Sequence, residues 1–331
     1  MGANEDSKVY TGVYKEWLSA AIETDLVRLT LLPGLGGKIV SLLYKPTGKE
    51  WLLDSGKRPL KQPDYGSSFT AWDMSGWDEC FPTIDACTLQ ADLQADLQAD
   101  GAIDMPDHID MPDHGELWSL PWHCKLEDDA IVCAVRSPQL PLRFTRRVSI
   151  AAPDQIQLQY EVENEGDRPL PFLWAAHPQF AIEEPTRILL PEGVDRLLCV
   201  YGGHSLATME TYDAPSIALI NPLVTGDGKK FYYPGQAPGQ AASGWSGLQE
   251  QTSGNFVMLA VPQDKVPYLG VWIDEGMYND RVTCALEPGI GYFDSLSAAI
   301  ANGTAQIVDP HGSFEWSLTV SLGHQLESCY F

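Results

Sequence analysis

The sequence predicts an all-β protein, a large antiparallel β-sandwich in one domain over residues 1–331, and three observations carry that reading. Strict apolar/polar alternation recurs along the chain, the signature of strands with one buried face. Helical periodicity nowhere persists; only Leu296 to Ala301 predicts a turn or two of helix. Finally, 29 Gly and 24 Pro punctuate the alternating runs at short intervals, as stacked sheets require. The length alone would admit two domains, but all-β folds commonly run past about 250 residues as one.

In chain order, Gly36-Gly37-Lys38-Ile39-Val40-Ser41-Leu42 reads as an early turn and strand. Leu89 to Asp100 is three copies of Leu-Gln-Ala-Asp, and Ile103 to His114 is two copies of Ile-Asp-Met-Pro-Asp-His. Periods this short fall far below a solenoid unit and predict an acidic surface loop over 89–113. Only the second histidine, His114, is followed by Gly and an aromatic-rich segment. A metal loop around the two histidines is the other reading of the repeat. Leu142, Phe144, Arg146, Val148 and Ile150 alternate with polar neighbours, as do Ile156 to Val162, Leu269 to Asp274, and Phe314 to Leu322. In Arg281 to Glu287, period two puts Val282, Cys284 and Leu286 on one face and Thr283, Ala285 and Glu287 on the other. Pro288 lacks an N–H and predicts the strand's end just beyond that carboxylate.

The apolar fraction of 44% suffices for a large core, and ten Trp is a high count. The formal charge of −24 predicts no nucleic-acid partner and no anionic membrane, and weighs against highly anionic substrates. Seven cysteines, with no C-x-x-C pair, predict a reducing, cytoplasmic setting. The start, MGANEDSKVY, shows no signal-peptide pattern, and Asp6 stands where a myristoylation motif wants Ser or Thr. No apolar run approaches the roughly 18 residues of a membrane span.

Four clusters set an ionisable group beside Trp, Gly or Pro: Gly76 to Thr83 with Asp78 and Glu79; Asp113 to Trp118 with His114; Phe172 to Pro178 with Trp174 and His177; and Trp272-Ile273-Asp274 followed by Leu286-Glu287-Pro288. Each has a plainer alternative. His177 could be a core histidine bonded to a carbonyl, His114 a loop residue, and Glu287 the partner of Arg281 or another arginine. Trp272 and Asp274 share a strand face, offering an aromatic plane for a pyranose C–H face and a carboxylate for its hydroxyls. Their alternative is a core Trp and a strand-end cap.

The order and local sequence of these clusters resemble the aldose 1-epimerase (galactose mutarotase-like) superfamily, in a branch of bacterial type. The early Gly36-Gly37, His114-Gly115, His177 and Glu287-Pro288 stand where that family has Gly-Gly, His-Gly, a later His and a Glu-Pro. The resemblance implies a supersandwich with a sugar cleft on a concave face. It also implies Glu287 as general base, His177 as general acid and His114 beside the ring oxygen, with Asp274 binding hydroxyls. Trp272, Asp78, Glu79, Trp118 and Trp174 are the remaining candidates for substrate contact. The sequence departs from the better-known members at Asp113, where they carry Asn, at Glu116-Leu117-Trp118, where they carry an Arg, and at Pro178-Gln179-Phe180.

The implied reaction is anomer interconversion of a free sugar by acid/base ring opening, with a neutral hexose favoured over a phosphosugar. It calls for no metal or organic cofactor, and for a monomer or homodimer. A carbohydrate-binding protein without catalysis is the second reading. A glycoside hydrolase or lyase pairing Glu287 with Glu79 or Asp274 is the third; a hydrolase needs two carboxyls roughly 5–9.5 Å apart.

Overall fold

The alternating segments become strands because pairing buries one face of each. In the computed structural model, which describes residues 7–90, 108–233 and 244–325, Leu142–Ala152, Gln155–Asn164 and Ser313–His324 pair in succession, antiparallel. Phe144 lies opposite Val162, and Val162 opposite Phe314. Phe144, Val148, Leu158, Val162 and Leu318 thereby face one core. These strands sit in a nine-stranded sheet. A second sheet of thirteen strands starts at the hairpin Lys8–Tyr14/Trp17–Glu23. It passes through Lys38–Tyr44, Trp77–Cys80, Trp174–Pro178, Val282–Ile290, Tyr268–Glu275 and Gly228–Tyr233. Both sheets contribute to one continuous apolar cluster, so the described residues form the predicted antiparallel β-sandwich.

One ion pair crosses that core. Arg146, on the nine-stranded sheet, donates from Nη1 to Glu79 Oε1 at 2.9 Å, and both side chains are fully buried. Tyr160 Oη and Trp174 Nε1 also donate to the Glu79 carboxylate, at 3.0 and 2.9 Å. Burial pushes Glu79 above the usual carboxylate range, and the Arg146 guanidinium and the neutral donors oppose that shift.

The second sheet forks at its centre. Trp174–Pro178 pairs with Val282–Ile290 only at Trp174↔Ile290 and Ala175↔Gly289. It then runs along Trp77–Cys80, with His177 opposite Asp78. Pairing with Val282–Ile290 resumes at Phe180↔Cys284. Residues 285–288 thus have no ladder partner on that side, and Pro288 falls in the gap. The strand therefore continues through Pro288 to Ile290 instead of ending there, since a missing N–H costs little where one side is unpaired.

Two other expectations change. The base of the predicted 89–113 loop is a two-stranded ribbon, Cys87–Gln90 against His108–Met111; repeat residues 91–107 lie outside the described residues. Cys124 and Cys133, directly opposite on adjacent strands, form a disulfide that their spacing does not announce. Leu296–Ala301 is helical as expected, capped by Ser295, whose side chain accepts from the Ala298 N–H. Among the described residues no helix is long and apolar enough to cross a membrane.

Candidate active site

The fork opens onto a cavity of about 390 Å³, within the range of small-ligand pockets. Glu287, His177 and His114 all line it. Period two held for Glu287: Thr283 and Ala285 share its face and are fully buried, while Cys284 and Leu286 join the core. Cross-strand pairing extends the same face. Ala285 pairs with Trp272 and Trp272 with Lys230; in the next row Glu287 pairs with Gly270 and Gly270 with Tyr232. Trp272 and Lys230 accordingly line the cavity too.

Lys230 reaches over Gly270 to the carboxylate. Its Nζ donates to Glu287 Oε2 at 2.6 Å and lies 3.0 Å from Asp294 Oδ1. A Cβ at position 270 would stand 2.9 Å from Glu287 Oε2 and 3.5 Å from Lys230 Cε, so only glycine leaves room for the bridge. Burial works against the ammonium, but Asp294 and Glu287 together hold Lys230 well above an ordinary lysine. Glu287 moves up: burial raises it, Lys230 opposes, and Asp294 adds to the rise. Its second oxygen, Oε1, is buried with no hydrogen-bond partner and lies 3.8 Å from His177 Nε2.

The surroundings of His177 disfavour the charge expected of an acid. Burial drives its imidazole well below the ordinary value, and the positive charges of His114, Lys230 and Lys38 push the same way. Its Nδ1 is buried without a partner, and Nε2 lies 3.3 Å from Gln179 Nε2. The Glu287 charge that would favour protonation is already compensated by Lys230.

His114 sits on a turn in which both it and Gly115 take positive φ, 58° and 72°. The chain there bridges to Phe81, and a Cβ on residue 115 would fall 2.2 Å from Phe81 O. That close approach is the physical content of the His-Gly pair. Asp113 Oδ1 is 2.8 Å from His114 Nδ1, and Oδ2 accepts from the Phe69 N–H at 2.9 Å. The Phe69 ring stacks on His114 with centroids 4.1 Å apart and planes 8° from parallel.

Most of the other candidates serve the framework. Adjacent strand residues face opposite ways, and Glu79 and Trp174 face the core, bonded to each other. Asp78, opposite His177, does not line the cavity; its Oδ2 is 2.5 Å from buried Lys38 Nζ, and burial raises its carboxyl while Lys38 opposes. Trp118 is buried against Phe69 and Met74 and donates to Asp113 O. Asp274 is on the cavity face, but at the strand end, where its two oxygens accept the N–H groups of Gly276, Met277, Tyr278 and Asn279. It caps that turn and does not line the cavity. Of the six predicted substrate contacts, Trp272 alone lines the cavity. Arg281 pairs with Asp54, away from Glu287.

The sequence reading missed Lys230, Asp294, Asp85 and Phe69, all of which line the cavity. Lys230 was findable by alternation within Gly228–Tyr233, but Lys229 beside it looks like ordinary solvated charge. Among the described residues no cluster of three or more His, Cys, Asp or Glu is arranged to hold a metal ion.

No protein-family model matches the sequence, and no curated protein does. Solved structures do match in fold. A galactose mutarotase-like protein from Lactobacillus casei ATCC 334 superposes with a TM-score of 0.66 at 15% identity, over 92% of this chain and 100% of that one. A galactose mutarotase related enzyme from Lactobacillus acidophilus gives 0.63 at 15% identity, over 93% and 98%. A Klebsiella pneumoniae protein, provisionally named an aldose 1-epimerase, gives 0.66 at 16% identity, over 96% and 83%. The chain therefore has the galactose mutarotase-like fold.

Proposed function

We propose that the protein is an aldose 1-epimerase that interconverts the anomers of a free neutral sugar. The observation that carries this reading is Glu287 Oε1, a buried carboxylate oxygen with no partner at the wall of a sugar-sized cavity. An unpaired buried acceptor is costly, and a sugar hydroxyl would satisfy it. The raised carboxyl is also closer to neutrality than a free glutamate, as a general base wants.

In the proposed reaction Glu287 Oε1 takes the proton of the anomeric hydroxyl. The C1–O1 bond becomes a carbonyl, and the C1–ring-oxygen bond breaks with its electron pair going to oxygen. That oxygen takes a proton from an imidazolium, which is left as the neutral imidazole. Rotation about C1–C2 and the reverse steps close the ring with the other configuration, returning both protons. We assign the imidazole to His114, because His177 is held toward its neutral form. His177 then serves as a neutral hydrogen-bonding group beside Glu287, and Trp272 as an aromatic face for the ring.

Charge favours a neutral substrate. Asp85, Asp113, Asp294 and Glu287 line the cavity, against Lys230, whose ammonium is already shared by two of them. A phosphate would meet net repulsion there. The hydrolase reading loses its geometry, because neither Glu79 nor Asp274 lines the cavity.

A second reading, sugar binding without catalysis, is favoured by the Lys230–Glu287 bridge, which weakens the carboxylate as a base. NMR saturation transfer between the anomers of glucose and galactose separates the two, with Glu287→Gln measured alongside and calorimetry on the same sugars. The expected result is exchange by the wild type above the buffer rate, falling about 10²–10⁴-fold in the variant. Binding without exchange selects the second reading, and neither binding nor exchange overturns both for these sugars.

A further inference from the structure

Asp113 is the most heavily committed carboxylate at the cavity, and the proposed chemistry has not yet used it. One oxygen meets His114 Nδ1 at 2.8 Å; the other accepts from the Phe69 N–H at 2.9 Å and lies 3.2 Å from Ser68 Oγ. One side chain thus ties the histidine to the segment that carries the ring stacked on it. Phe69 closes the other side, edge-on to His177 at 5.3 Å and beside Trp118 at 5.2 Å. His114 is clamped between a carboxylate at Nδ1 and a parallel aromatic face, which leaves Nε2 as the ring nitrogen free for a ligand. Its backbone at φ 58° is a conformation that surrounding contacts must maintain.

We propose that Asp113 is a positioning residue that acts through His114: it accepts the hydrogen bond of the Nδ1–H, which fixes the ring with Nε2 presented to the cavity, and its charge stabilises the imidazolium that delivers the proton to the ring oxygen. The role parallels the carboxylate that orients a histidine in acid/base dyads elsewhere. The proton passes from Nε2 to the sugar oxygen while Nδ1 keeps its own, so Asp113 is never protonated. Burial works against the Asp113 charge, yet the hydrogen bond and charge of His114 hold its carboxyl below the usual range. The charge of His114 also acts on the carboxyls of Asp78, Asp85 and Glu287 and on the imidazole of His177. Asp113 is the one hydrogen-bonded to its ring.

The inference rests on the epimerase reading for its catalytic half but not for its structural half, and the experiment keeps them apart. Histidine side-chain ¹H–¹⁵N correlation spectra of the full chain near neutral pH read the protonation of both ring nitrogens of His114 directly. The expected wild-type spectrum shows a protonated Nδ1; a neutral ring protonated only at Nε2 overturns the proposal, with no variant needed. In Asp113→Asn, kcat for anomer exchange is expected to fall about 10²-fold with KM little changed, and the pH–rate profile to shift in the limb governed by the acid. A variant that folds and keeps the wild-type kcat and profile overturns it. If the wild type exchanges no anomers, the epimerase reading falls, and the ¹⁵N spectra of wild type and variant still decide whether Asp113 sets the state of the ring.

Discussion

Lys230 Nζ bridges Glu287 Oε2 at 2.6 Å and Asp294 Oδ1 at 3.0 Å, so the central carboxylate of the cavity is half occupied by an ammonium and half unpaired. The arrangement fixes which oxygen a ligand can reach. Lys230→Met would leave Glu287 and Asp294 facing each other without their cation. The expected outcome is a stability loss of about 3–5 kcal/mol by urea unfolding. With the opposing charge gone, Glu287 rises further, and the acid limb of any exchange activity moves to higher pH. An unchanged limb would separate Lys230 from the chemistry.

Gly270→Ala tests the same bridge from beneath. The added methyl would meet Glu287 Oε2 at 2.9 Å and Glu287 Cβ at 3.3 Å, both tighter than ordinary contact. We expect about 1–3 kcal/mol of destabilisation. A carboxylate displaced by a fraction of an ångström should lower kcat up to about 10²-fold. Saturation transfer and thermal melts measure the two effects; wild-type kcat in a folded variant would mean that Glu287 need not be held in place.

The buried imidazole of His177 predicts an acid sensitivity. Its folded pKa is depressed below the ordinary 6.5, first by burial and then by neighbouring cations. The unfolded chain therefore binds a proton near pH 6.5 that the folded chain refuses. The stabilising contribution is complete above that value and lost as pH falls toward the folded one, at up to about 1.4 kcal/mol per pH unit. Urea midpoints at several pH values should fall more steeply for wild type than for His177→Gln. Parallel slopes would show that the folded histidine takes up the proton.

Arg146 and Glu79 make a prediction about the framework alone. Removing the arginine leaves a carboxylate with no exposure in the core. Arg146→Met should therefore cost about 3–5 kcal/mol, while the double variant with Glu79→Gln should recover part of it. Additive costs in denaturant unfolding would rule out coupling between them.

Much of the sandwich was legible because its strands alternate. Phe314 to Leu322, Ile156 to Val162 and Val282 to Leu286 carry their inward face in the order of their residues, and the structure buries that face. Glu287 was legible for the same reason, as a carboxylate among small residues on the opposite side. Alternation also sets Asp78 and Glu79, and likewise Trp174 and His177, on opposite faces, so they cannot all face one cavity.

The sequence by itself determined the all-β class and the inward face of its alternating strands, because periodicity depends only on neighbouring residues; the triplet Glu287, His177 and His114 was an expectation drawn from the family resemblance. Which charges meet was decided by the tertiary structure. It gave Glu287 to Lys230, Glu79 to Arg146, Asp113 to His114 and Asp274 to its own turn. Those pairings follow from sheet order and register, which bring together residues far apart in the chain. The energies of buried charges then depend on partners that no local pattern names.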